Sequence, residues 1–154
     1  MAKPESNYLG RELPTQTRTW SLDVFQQRHA ALMKSMALPA TGGPRSNLHT
    51  DEKAAKAQGL PGVVGAGPQV IAQVQRVMMK EFGVGWIQGG KMDLKMIKSI
   101  VPGDQTTVHA RITALRLEQD ADGQERTRAE CSVQVMNQNK IPVLVGSTSA
   151  LLAG

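Results

Sequence analysis

The chain has 154 residues, with 18 Lys and Arg against 13 Asp and Glu, a formal net charge of +5, and only two Trp, one Tyr and two Phe. That length suits a single domain, residues 1–154, able to bury about two thirds of the surface its unfolded form exposes. So few aromatic rings exclude a stacking platform for single-stranded nucleic acid, and the basic residues form no long cluster for a duplex or a membrane surface.

No run of about 18 apolar residues is present, and "MAKPESNYLGRELP" has neither the apolar core of a signal peptide nor a transit peptide's arginine pattern, so a cytoplasmic protein is expected. The one cysteine, Cys131, can make neither an internal disulfide nor a thiolate metal site, and reads as a small buried apolar residue. No metal-ligand spacing, P-loop, dinucleotide fingerprint or nucleophile elbow occurs, so neither a metal nor a separate cofactor is expected.

Ser21 to Met36 reads as a helix with a serine cap, Asp23 in its first turn, and Leu22, Phe25, His29, Leu32 and Met36 on one stripe. The Pro/Gly-rich stretch "ALPATGGPRSN" then predicts a long loop of the kind that walls a pocket. Thr50 is placed to cap a short second helix, which Gly59 ends in a left-handed conformation. After the glycines of "PGVVGAGP" comes the strongest helix: Val70, Ile71, Val74, Val77 and Met78 repeat with a 3.6-residue period, Pro68 suits its start and Gly83 its end. From Trp86 the period changes to two. Met92, Leu94 and Met96 alternate with polar residues, as do Val108, Ala110, Ile112 and Ala114, then Cys131, Val133 and Val135. With turns at "VPGD", "DADGQ" and "NQNK" and a last strand from Val143 to Leu152, the order predicts helices followed by an antiparallel meander, an α+β domain with one helix packed on a sheet.

The blocks "SNLHTDEKAAKAQGLPGVVGAG", "GWIQGGKMDLKMIKSIVPGDQTTVHARI" and "NQNKIPVLVGSTSALL" resemble the corresponding blocks of MaoC-like dehydratases, the group that includes (R)-specific enoyl-CoA hydratases. The resemblance runs from about Tyr8 to the C-terminus. It implies a hot-dog fold, in which a long helix is wrapped by a curved antiparallel sheet. It also implies a homodimer or higher homo-oligomer, and an acyl thioester of coenzyme A or phosphopantetheine as the substrate.

Hydration of an enoyl thioester needs a base to activate water at the β-carbon and an acid to protonate the α-carbon. His49 matches the family's catalytic histidine, but the aspartate that family members carry five residues earlier is Pro44 here, in a lengthened loop. Ser46 or Asn47 could take the polar place of that aspartate, and Arg45 could meet a carboxylate on the substrate. His29, on an apolar stripe, is either a hydrogen-bonded core histidine or the missing second acid/base. By the same resemblance the amides near Gly65 and Ala66 hold the thioester carbonyl, and Val64 replaces a histidine of that turn. A glycine-rich helix start is explained equally well by close packing. Lys91, Lys95 and Lys98, with Arg111 on the next strand, could meet carrier phosphates, although such lysines are ordinarily a solvated face; His109 points away from Val108 and Ala110.

The leading expectation is a hydratase or dehydratase with His49 as acid/base. The alternatives are a non-catalytic acyl-binding subunit of a hetero-oligomeric hydratase, and an isomerase, cyclase or C–C lyase on the same scaffold.

Overall fold

The two periodicities of the sequence separate into two layers in the computed structural model, which describes residues 7–35, 47–119 and 122–152. In chain order the elements are β1 (Gln16–Thr19), α1 (Leu22–Ser35), α2 (Glu52–Ala57), α3 (Gly67–Phe82), α4 (Val84–Gly89), β2 (Lys91–Met96), β3 (Gln105–Gln119), β4 (Glu125–Asn137) and β5 (Pro142–Leu151). The strands form one antiparallel sheet in the order β1-β3-β4-β5-β2, giving the expected α+β class.

The core lies between α3 and one face of the sheet. Val70, Val74, Val77, Met78 and Phe82 of α3 are buried in one cluster with Val108, Ala110, Ile112, Cys131, Val133 and Val135. Alternation puts these sheet residues on a common face, and the 3.6-residue period puts the helix residues opposite them. Pro68 sits in the first turn of α3, where its missing N–H costs nothing, and Gly83, at φ 51°, stops the helix. Burial pushes the Cys131 thiol up to about 11, so it stays a protonated core residue.

Buried polar groups tie the layers together. Trp20 Nε1 donates to Thr106 Oγ1 at 2.7 Å, Thr106 Oγ1 donates to Gln73 Oε1 at 2.8 Å, and Gln73 Nε2 donates to the carbonyls of Gln16 and Thr106 at 3.1 Å. Across the sheet, the buried Arg128 guanidinium forks onto Glu118 at 2.8 and 2.7 Å and also donates to the Gly89 carbonyl at 2.7 Å, fastening the end of α4. The Arg128 hydrogen bonds hold the Glu118 carboxyl below its usual range.

Several expectations are corrected. The pattern does not turn to strand at Trp86, because α4 intervenes and β2 begins at Lys91. Nor is the sheet a simple meander: β2 pairs with β5 at the far edge, where Gly146 lets the strands meet, since a Cβ there would strike the Asp93 carbonyl. Asp51, rather than Thr50, caps α2, accepting from the Lys53 and Ala54 amides at 2.8 and 3.0 Å; a carboxylate also suits the helix dipole. The serine cap at Ser21 and the left-handed Gly59, at φ 79°, are present.

Candidate active site

The segment Asn47–Asp51 is shaped by Asn47. Its carbonyl accepts from the Thr50 and Asp51 amides at 3.0 and 2.9 Å, and its side-chain Oδ1 accepts from the His49 amide at 2.8 Å and the Thr50 hydroxyl at 3.3 Å. These donors fix which way the amide faces, so Nδ2 points at His29 Nε2, 3.0 Å away on α1. An amide nitrogen can only donate, which makes His29 Nε2 an acceptor and leaves the proton of a neutral His29 on Nδ1.

The same logic assigns His49. Its Nδ1 lies 2.8 Å from the Val64 carbonyl, which can only accept, so the neutral ring carries its proton on Nδ1 and leaves an electron pair on Nε2. The Val64 amide in turn donates to the Leu48 carbonyl at 3.1 Å, binding the histidine segment to the turn that leads into α3. His29 and His49 are both half-buried. No carboxylate bonds to His29, Asn47 or His49 among the described residues.

At the helix start, the Gly65 amide is not an available donor, because it is committed to the Ile100 carbonyl at 2.8 Å. The amides without a partner among the described residues are those of Ala66 and Gly67, at the first turn of α3. Gly65 itself is required by packing: a Cβ there would come within 2.5 Å of Ile100 Cγ1 and 2.9 Å of Phe25 Cε1. One sequence reading of the glycine-rich turn, close packing, thus accounts for Gly65, and backbone donors to a ligand fall one and two residues later.

Arg45 and Ser46 lie outside the described residues. Lys91, Lys95 and Lys98 are exposed, but Arg111 is not on the strand next to them: β4 and β5 stand between β3 and β2, a separation of about 14 Å across the sheet. Arg111 instead donates to the Gly10 carbonyl at 3.1 Å. His109 is exposed, on the face away from the core. Sequence reading passed over Gln69, which is only 8% exposed while its Oε1 has no partner among the described residues. A glutamine at the third position of a helix, next to the buried Val70, was the available signal.

No family model matches the chain, and no curated protein does. Solved structures do match. A MaoC-like dehydratase from Rhodospirillum rubrum superposes with a TM-score of 0.69 at 16% identity, covering 97% of this chain and 94% of that one. The (R)-hydratase from A. caviae involved in PHA biosynthesis gives 0.69 at 16% identity, over 97% of this chain and 99% of the other. The ChsH1–ChsH2 complex from Mycobacterium tuberculosis gives 0.68 at 15% identity, over 94% and 98%. At these identities the likeness is one of fold, and the chain has the hot-dog fold of solved MaoC-like dehydratases and (R)-hydratases.

Proposed function

We propose that the protein is a hydratase or dehydratase acting on an enoyl or 3-hydroxyacyl thioester, with coenzyme A or phosphopantetheine as part of the substrate. The observation that carries this is the His49 Nδ1 bond to the Val64 carbonyl, which leaves Nε2 as a base next to the turn that opens α3. In the hydration direction, Nε2 takes a proton from water as the water oxygen bonds to the β-carbon. The π electrons move onto the thioester oxygen as an enolate, which the Ala66 and Gly67 amides and the dipole of α3 stabilise. The imidazolium then returns its proton to the α-carbon, so one group acts first as base and then as acid. Asn47 takes the polar place of the family's aspartate and positions His49, and His29 holds Asn47 through Nε2.

A homodimer fits the exposed β2 edge, whose outer backbone groups have no strand partner among the described residues and whose surroundings expose Met92 (39%), Ile97 (51%) and Ile87 (68%). A second reading, a non-catalytic subunit of a hetero-oligomeric hydratase, is favoured by the carboxylate-free histidine cluster. Assays over a panel of enoyl thioesters with wild type, His49→Ala and His29→Ala separate the two. Turnover that falls about 10²–10⁴-fold in His49→Ala supports the first. A folded, dimeric wild type inactive on every thioester supports the second.

A further inference from the structure

Two arginines lie over one indole at the β1 edge of the sheet. The guanidinium carbon of Arg18, on β1, is 5.0 Å from the centre of the Trp20 ring, and that of Arg28, on α1, is 5.9 Å from the same ring. Arg76 of α3 stands beside them, its Nε 3.2 Å from the side-chain oxygen of Gln16, which lies two residues before Arg18 on the same face of β1; burial and then the neighbouring Arg28 and Arg76 charges lower the pKa of Arg18. Trp20 is a rigid platform, fully buried and hydrogen-bonded to Thr106.

The group lacks counter-charge. Arg11, Arg116 and Arg128 each pair with a glutamate, whereas Arg18, Arg28 and Arg76 form no ion pair among the described residues. Arg76 Nε finds a neutral acceptor, the Gln16 side-chain amide at 3.2 Å in the orientation that satisfies both amide atoms. Helical spacing places Lys80 one turn beyond Arg76, and both line a groove with Pro14, Thr15 and Gln16. Glu81 also borders that groove, but it is already paired with Arg11.

Three like charges gathered on one side of β1, those of Arg18 and Arg28 half-buried, repel one another and are stabilised by a bound anion. Guanidinium forks match phosphate oxygens, and a cation held over an indole face is fixed in place by the ring. A single carboxylate has too few oxygens and too little charge to engage all three. We propose that Arg18, Arg28 and Arg76 form a binding site for the diphosphate group of a small molecule, an assignment that stands independently of the proposed hydratase chemistry.

Inorganic pyrophosphate is the direct probe. It should raise the melting temperature by roughly 5–10 °C at a hundredfold excess over its dissociation constant and shift tryptophan emission, beyond anything sodium chloride does at equal ionic strength. Arg28→Gln and Arg76→Gln lie on helix surfaces and should each weaken binding roughly tenfold or more. ADP and coenzyme A then separate a free nucleotide from a thioester carrier as the source of the diphosphate, and tighter binding of either upholds the site. Pyrophosphate acting no differently from salt, or binding Arg28→Gln and Arg76→Gln as it binds wild type, would overturn it.

Discussion

Two polar clusters adjoin α1, one through Trp20 against Phe25 and the other through His29, and they behave differently. In the Trp20–Thr106–Gln73 network the donors and acceptors of the buried side chains meet inside the protein, closing the layer between α3 and the sheet. The His29–Asn47–His49 cluster is half-buried and leaves capacity unspent: an electron pair on His49 Nε2, the Ala66 and Gly67 amides, and the buried Gln69 Oε1 nearby in the chain. A finished network stabilises the fold, and an unfinished one offers groups to a substrate. Substitutions in the first region should therefore move stability, and those in the second should move turnover.

The largest separation is expected from His49→Ala, which should lower kcat/KM about 10²–10⁴-fold while leaving the melting temperature within a few degrees of wild type. Met78→Ala should do the reverse, costing about 2–5 kcal/mol in urea unfolding with activity per folded molecule retained. Met78 is fully buried and its sulfur accepts from Thr148 Oγ1 at 3.0 Å. Asn47→Asp keeps an acceptor for the His49 amide but replaces the donor to His29 by an acceptor, so the proton of a neutral His29 should move from Nδ1 to Nε2. The ring-nitrogen NMR shifts of His29 check this, and an unchanged tautomer contradicts the assignment.

Smaller effects are expected farther away. Glu118 titrates below its usual range in the folded state because Arg128 hydrogen-bonds its carboxylate. Its contribution is therefore complete above the unfolded-state value of about 4.3 and is lost as pH falls through the lower folded-state value. Glu118→Gln should flatten that part of the stability–pH curve. His109→Ala, on the exposed face of β3, should change stability by less than about 0.5 kcal/mol and turnover not at all.

What could be read in advance follows from the range of the forces involved. The α3 stripe and the alternating runs of β3 and β4 were legible because burial imprints a period on neighbouring residues. β1 was not, since "QTRT" has no apolar alternation and exists by pairing with β3. α4 holds two glycines in six residues and is started by the Gly83 carbonyl, which accepts from the Trp86 and Ile87 amides. The pairing of β2 with β5 is set by tertiary packing, so strand order could not be taken from chain order. In the site, His49 and Asn47 were nameable from the resemblance of their block to the family's motif. The bond from Asn47 to His29, eighteen residues away, and the meeting of Arg18 and Arg28 over Trp20 exist only once α1 is docked.

The most direct test of the account is the pH dependence of kcat/KM for enoyl thioester hydration, measured on wild type and His49→Ala. One histidine acting as base and then as acid predicts activity that rises with pH along a single limb in wild type, and no such limb in His49→Ala. A bell-shaped profile, or undiminished activity in His49→Ala, would contradict it.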